Sequence, residues 1–286
     1  LILDAACTTL GENLAALGRV SQVIAFGDSA IAAPTGFELE ANEIPTKLEA
    51  TSDSAFDEVA RIFGVESMRK NWRPTGQTLG SLINREFYQN RIIFEPTAGE
   101  YAGKSNFELH QVRTKAAGTD AVAESPDQEL DETVKTVLRH ATNHPEDSLM
   151  VVSASELHAE RLQTALNEVV LEHPDVKQFF DAHGDEKFEV STLNLLSHRV
   201  ADRVIFSPGF GISASGFAPN ELGQLSESSG RRTLANLLVS ARKSLTVVTA
   251  IAADKLPAEP VGAAKQFAKL FKYATSQLEL SLSVDR

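Results

Sequence analysis

Two carboxylates near the start of the chain are the first candidates for chemistry. Asp4 follows the apolar run of residues 1–3, and Asp28 follows the apolar run 21–26 with Gly27 between. A carboxylate just past a buried strand stands where α/β proteins place ligand chemistry. The same residue type also serves as an ordinary cap or turn residue. Arginines are the complementary signal, because a guanidinium binds phosphate oxygens in pairs. Arg73 lies in Asn71-Trp72-Arg73-Pro74, Arg199 precedes an apolar run, Arg231 and Arg232 head GRRTLANLL, and Arg242 lies twelve residues past Gly230. Arg73 fits either a phosphate contact or an ion pair. Arg231 and Arg232 fit either a nucleic-acid backbone contact or a solvated helix start.

Other patterns carry less. Gly209-Phe210-Gly211-Ile212-Ser213-Ala214 fits G-x-G-x-x-A, but Pro208 precedes it and Ser215-Gly216-Phe217-Ala218-Pro219 follows, so no helix opens there to receive a dinucleotide. His140 and His144 have the i, i+4 spacing of zinc ligands without the H-E-x-x-H pattern, and a last-turn His already complements the helix dipole. There is no G-x-S-x-G elbow. Cys7 is the sole cysteine, which excludes a disulfide framework and a cysteine-rich zinc site; beside Ala and Thr it reads as buried rather than reactive.

The elements that must position these residues alternate. Apolar, β-branched runs at 148–153, 188–192, 203–207 and 245–251 predict strands buried on both faces. Residues 1–4 and 21–26 predict two more, and the alternation at 107–113 suits another. Helical spacing of apolar residues predicts helices over 10–17, 54–63, 78–88, 126–144, 156–171, 231–243 and 262–278. Residues 115–127, rich in Ala, Gly and acid, predict a loop, and there is no internal repeat. Strands alternating with helices imply an α/β layer structure around a mainly parallel sheet with helices on both faces.

The order of these segments resembles the last part of a superfamily 1 DNA/RNA helicase motor. FEVSTLNLLSHRVADRVIFS followed by GRRTLANLLVSARKSLTVVTAI is similar to that family's "VQGDExDVIIFS" strand and "GRRRLNVALTRAR" helix. Asp4-Ala5-Ala6-Cys7 resembles "DEAS", Gly27-Asp28 opens a segment like "GDxxQLPP", Arg73 stands at the "YR" position, and Asn84, Phe87 and Tyr88 match the helix after it. SLMVVS at 148–153 resembles "SLGVVTFS", and the helix at 262–278 resembles "L..FL.YA".

The resemblance implies a RecA-like, P-loop NTPase-type parallel sheet: residues 1–50 ending a first domain, 51–130 connecting, 131–255 forming the second domain's core, and 256–286 a closing helix and tail. It also implies ATP, Mg²⁺ and DNA as ligands of the family. Asp4 would be the metal carboxylate, with Gly27, Asp28, Arg73 and Arg242 beside the nucleotide and Arg199, Arg231 and Arg232 facing nucleic acid. The partners of that chemistry are replaced. The water-orienting Glu falls at Ala5, the γ-phosphate-sensing Gln at Ile31, the "QGDE" Gln, Gly and Glu at Ser197, His198 and Val200, and the first Arg of "TRAR" at Ser240. No G-x-x-x-x-G-K-[ST] loop occurs. Strand-building apolar residues persist while reactive ones are lost.

The sequence therefore predicts a degenerate helicase-like module with a structural or weak DNA-binding role, without hydrolysis or a cofactor of its own. Two alternatives stand beside it: the C-terminal part of an active ATP-dependent helicase, and an unrelated α/β interaction domain. The 286 residues suffice for one large or two modest domains, and the net charge of -12 argues against a nonspecific nucleic-acid binder. The start within LILDAA, without Met, suggests a fragment whose remainder lies upstream. With one cysteine and no membrane-length apolar run, a cytoplasmic setting and no membrane partner are expected.

Overall fold

The computed structural model describes residues 1–34, 54–71, 76–113, 123–181, 188–196, 199–214, 216–256, 261–271 and 273. It divides into two compact units, Leu1–Met68 and Arg69–Arg286.

In the first unit, a turn at Ala5–Cys7 leads to helix α1 (Leu10–Leu17), and α2 (Ala55–Phe63) follows later. Thr9 and Glu12 close a reciprocal capping box on α1, and Ser54 caps α2 through the N–H of Asp57. The two strands expected here shrink to one parallel bridge, Ile2 to Ala25. The N–H of Ile2 donates to Ile24 at 2.8 Å and that of Phe26 to Ile2 at 2.9 Å, so the segments run side by side without extending a ladder. A Cβ on Gly27 would lie 2.9 Å from the Phe56 ring of α2 and from the amide of Ala6, so close approach of α2 requires glycine there.

The second unit holds α3 (Gln77–Phe87), α4 (Ala98–Tyr101), β1 (Phe107–Gln111), α5 (Asp127–Asn143), β2 (Leu149–Ser153), α6 (Glu156–Glu172), α7 (Lys177–Phe180), β3 (Glu189–Thr192), β4 (Ala201–Phe206), α8 (Gly230–Ser240) and β5 (Ala241–Thr249), with a further helical run at 264–271. The strands form one sheet in the order β1-β5-β4-β2-β3, every pairing parallel. This is the α/β parallel sheet the alternation implied. Its register sets Leu149 beside Arg203, Val204 beside Leu245, and Phe107 beside Leu245.

Alternation along the strands gives each face its own cover. Val151, Ile205 and Val248 pack with Leu130, Val134 and Val137 of α5 and Leu162 and Leu166 of α6. On the opposite face, Phe206 meets Phe267 edge to face at 5.7 Å, and Phe107, Leu109 and Val247 line a common apolar gap with Phe267, Leu270 and Phe271. Among the described residues, no helix is long and apolar enough to cross a membrane.

One boundary differs from the sequence expectation. The helical spacing in the sequence runs from Arg231 to Lys243, but α8 stops at Ser240 and β5 begins at Ala241. Pairing with β4 overrides local propensity: Ala241 sits opposite Ala201, and Arg242 and Lys243 reach Asp202.

The core predicts its own sensitivity. Leu162 is completely buried and Leu171, on the same helix, is 83% exposed. Leu162→Ala should cost about 2–5 kcal/mol through lost transfer energy and a residual cavity, whereas Leu171→Ala should stay within about 0.5 kcal/mol. Urea midpoints of both variants, read by circular dichroism, test this; equal shifts would contradict the packing described.

Candidate functional site

In an open parallel sheet, ligands bind beyond the carboxyl ends of strands where neighbouring connections diverge. β2 and β4 are such neighbours: β2 leads through α6 outward to β3, and β4 leads through α8 the other way to β5. The position between their carboxyl ends is occupied by a polar network of the protein's own side chains.

Its centre is Glu129, in the first turn of α5 and fully buried. One carboxylate oxygen, Oε1, accepts from the N–H of Gly209 at 2.6 Å and from Ser207 Oγ at 2.9 Å. The other, Oε2, accepts from the N–H of Ala250 at 2.7 Å. Gly209 follows β4 and Ala250 follows β5, so one carboxylate fastens two strand ends to α5. Thr133, one turn along α5, donates to the Glu129 carbonyl at 2.7 Å and stands 3.0 Å from Ser207 Oγ.

The network continues through His158, fully buried in the first turn of α6. Its Nε2 lies 2.8 Å from Ser207 Oγ, and its Nδ1 lies 2.8 Å from Ser125 Oγ. Arg161 closes the chain: Nη1 donates to Ser125 Oγ at 2.9 Å and to the Ser125 carbonyl, and Nη2 donates to Asp127 at 2.6 Å. Ser155 caps α6 by accepting from the N–H of His158 and donates in turn to Glu124 at 2.6 Å. The backbone is shaped around the imidazole. Gly209 has φ +82°, and a Cβ there would come within 2.5 Å of the His158 Cβ. Ser125 itself sits at φ 53°, an uncommon conformation for a residue with a side chain.

Burial pushes the Glu129 carboxyl up to about 7, against the hydrogen bonds from Gly209, Ala250 and Ser207. Burial, helped by the charge of Arg161, pushes His158 down to about 4. Although His158 Nε2 and Glu129 Oε1 are 3.9 Å apart, both groups are therefore neutral between those values, and the contact is not an ion pair there.

Apart from Gly209, which belongs to the G-x-G-x-x-A look-alike, none of these residues stands out in the sequence. The signal was present as polar residues on apolar stripes: Glu129 and Thr133 beside Leu130, Val134 and Val137, and His158 one and two turns before Leu162 and Leu166.

The candidate site residues that the sequence did single out lie in both units and, where described, take no part in this network. In the first unit Asp4 is exposed at φ 50°, its carbonyl accepting from Cys7, and Asp28 accepts from the N–H of Ala30 at 3.0 Å, next to Gly27. Cys7 is half-buried, and burial, then the charge of Asp4, pushes its thiol up, away from the reactive thiolate. Arg73 lies outside the described residues. Arg231 donates to the Glu86 carbonyl at 2.6 Å and stands 5.1 Å over the Phe87 ring, clamping the end of α3. Arg232 follows it on α8. Arg242 pairs with Asp202 at 3.0 Å, and Arg199 pairs with Glu189. The resemblance groups Arg199 with Arg231 and Arg232, which head α8 after β4. Arg199 precedes β4 and so lies at the amino edge, its N–H donating to the Leu196 carbonyl at 3.0 Å.

Two further look-alikes have structural explanations. Ala98-Gly99-Glu100-Tyr101-Ala102-Gly103-Lys104-Ser105 is a phosphate-loop pattern with Ala for its first Gly, which sequence reading passed over. It runs from α4 towards β1, so Gly103 and Lys104 lie in the connection before a strand instead of opening the helix whose N–H groups would cradle phosphate. Its Glu100 is spent on the N–H groups of Gln77 and Thr78, at 2.9 and 2.7 Å, heading α3. His144, Glu146 and Asp147 cluster closely enough to hold a cation. Arg203 at 2.9 Å and Lys243 already hold Asp147; burial pushes its carboxyl up, but these two cations keep it below the usual range. His140 Nε2, the other half of the i, i+4 pair, lies 2.9 Å from the Asp147 carbonyl.

The two buried titrations predict opposing pH effects. Glu129 is raised from 4.5 to about 7, so its contribution is full below about pH 4.5 and lost as pH rises through about 7. His158 is lowered from 6.5 to about 4, so its contribution is full above about pH 6.5 and lost as pH falls through about 4. In the shared window the two slopes cancel. Glu129→Gln removes one of them, and its stability relative to wild type should fall by about 1 kcal/mol per pH unit on going from pH 6.5 to 4.5. Urea titrations across that window check it; parallel profiles for the two proteins would contradict the assignment.

No family model and no curated protein matches the sequence. Among solved structures, the chain is similar to the crystal structure of the C-terminal domain of a possible DNA helicase from Lactobacillus plantarum WCFS1, at 13% identity and a TM-score of 0.35, covering 65% of this chain and 88% of that one.

Proposed function

We propose that this chain is a helicase-like module of the superfamily 1 kind that has no ATP hydrolysis of its own and serves as a structural part of a larger assembly. One observation carries the reading. The ligand position between the carboxyl ends of β2 and β4 is filled by Glu129, Ser207, His158 and Ser125, all buried and all bonded to one another or to backbone. Phosphate binding at such an edge uses free backbone N–H groups and uncommitted cations. Here the N–H groups of Gly209 and Ala250 are held by Glu129, and Arg199, Arg231 and Arg242 are held by Glu189, the end of α3 and Asp202.

The residues at the resembling positions do not fit an ATP–Mg²⁺ site. Asp4 stands without a second carboxylate at Ala5, and Ile31 and Ser240 offer no γ-phosphate or finger contact. Where the family binds Mg²⁺, the ion neutralises charge at the transferred phosphoryl group. Any residual affinity for DNA is weak, nonspecific and electrostatic, centred on Arg231 and Arg232 at the head of α8, and works against the net charge of -12.

Phosphate release from ATP by the purified chain, with and without single-stranded DNA, should not exceed the protein-free blank. Turnover that disappears in an Arg73→Ala variant would overturn the proposal. In a fluorescence-anisotropy titration with a single-stranded oligonucleotide, the chain should bind weakly or not at all and lose what binding it has with added salt; tight, salt-insensitive binding would overturn the structural reading.

A further inference from the structure

The network at the carboxyl edge has a direction, which follows from counting protons. Arg161 only donates, so Ser125 Oγ accepts from it at 2.9 Å. An ionised Glu129 only accepts, so the single Ser207 proton goes to its Oε1, His158 Nε2 must donate to Ser207, and Nδ1 is left to accept from Ser125 at 2.8 Å. The imidazole therefore carries its proton on Nε2 and donates to Ser207 Oγ at 2.8 Å, and Ser207 donates to Glu129 Oε1 at 2.9 Å. With Glu129 ionised, every link runs inward from Arg161 to the carboxylate.

A proton on Glu129 disturbs this order. The new O–H needs an acceptor, but Gly209 and Ala250 both present N–H groups to the carboxyl. Ser207 Oγ is the oxygen within reach. If Ser207 accepts from Glu129, its own proton must turn elsewhere. His158 Nε2 lies at 2.8 Å and Thr133 Oγ1 at 3.0 Å, and an imidazole nitrogen is both the nearer and the stronger acceptor. Receiving that bond requires the ring to hold its proton on Nδ1 instead.

We propose that Glu129, Ser207 and His158 form a proton-coupled switch in which the ionisation of Glu129 sets the tautomer of His158. Ionised Glu129 goes with the Nε2–H ring and a firm grip on Gly209. Protonated Glu129 goes with the Nδ1–H ring and a weaker bond from Gly209, because the oxygen that accepts it now carries the proton. The protons balance: one is taken up in all, the Ser125, imidazole and Ser207 protons each move one link toward Glu129, and Ser125 Oγ receives the incoming proton and accepts from Nδ1–H beside Arg161.

The charged groups around this path are few. α6 contributes His158, 3.9 Å from Glu129, and Arg161 beyond it. α5 contributes Asp127, which is paired with Arg161. Glu124 is bonded to Ser155. The segments after β4 and β5 contribute the N–H groups of Gly209 and Ala250 and the Ser207 hydroxyl. Burial raises the Glu129 carboxyl to about 7, which sets the midpoint near neutrality.

The test is the ring-nitrogen spectrum of His158 in ¹⁵N-labelled full chain, assigned by the signal missing from a His158→Asn variant, over about pH 5.5 to 8.5. The expected result is an exchange of the protonated ring nitrogen, from Nε2 at high pH to Nδ1 at low pH, with a midpoint near 7. Glu129→Gln should hold one tautomer throughout, and Ser207→Ala should uncouple the ring from pH. A single unchanging tautomer in the wild-type chain, or a doubly protonated ring within that range, would overturn the proposal, as would a transition that persists in either variant. If the variants do not fold, the wild-type titration decides alone.

Discussion

A carboxylate is costly to bury, and Glu129 is buried completely. Moving an ionised carboxyl out of water costs several kcal/mol even after relaxation. The sheet gives a reason to keep it there. The chain turns away after β4 and after β5, and the turns leave the N–H groups of Gly209 and Ala250 without a ladder partner. A buried N–H without an acceptor costs about 1–3 kcal/mol. One side chain with two oxygens, presented from the first turn of a helix whose dipole favours negative charge, satisfies both. The positions of β4, β5 and α5 are thus set against each other by a single group, and Leu130, Val134 and Val137 follow it into the core on the same helix face.

The strands were legible because burial on both faces writes itself as uninterrupted apolar runs. Met150 to Val152, Val204 to Phe206 and Leu245 to Val248 needed no further information to be placed in one parallel sheet. The end of α8 was not legible, because Ala241, Arg242 and Lys243 suit a helix equally well and only their partners on β4 and before β2 decide otherwise. The short segments at Leu1–Leu3 and 21–26 have strand composition but make a single bridge. The functional edge was least legible. Glu129, His158, Ser125 and Ser207 are far apart in sequence, belong to no motif, and acquire meaning only when α5, α6 and β4 converge.

The amino edge of the same sheet offers a contrast. Asp147 and Asp202 meet Arg203, Arg242 and Lys243 in a linked set of ion pairs. Lys243 is 53% exposed in its side chain and Asp147 only 7%, so the cations reach outward while a carboxylate anchors them. Partial exposure lets these charges remain charged, with solvent weakening each pair. Opposite signs resolve the polar groups at this end. At the carboxyl end no cation among the described residues pairs with Glu129, and hydrogen bonds with a shared proton take that part. The two ends of one sheet thus solve the same problem of polar groups beside an apolar core by different means.

This difference bears on the proposed loss of hydrolysis. A nucleotide site depends on strain and vacancy: N–H groups without acceptors, arginines without carboxylates, and a base near a reacting atom. On the proposed reading, Ala5, Ile31 and Ser240 stand where the resembling family has reacting groups, and N–H groups left without acceptors at a closed edge carry a desolvation cost. An internal carboxylate at the strand ends removes that cost by giving the orphan N–H groups a permanent partner. Once Glu129 fills that position, a phosphate would have to displace a bonded, buried side chain and part His158 from Ser207. Stability of the closed edge and affinity for an anion at that edge are then in direct competition, and in this chain the hydrogen bonds are arranged for the first.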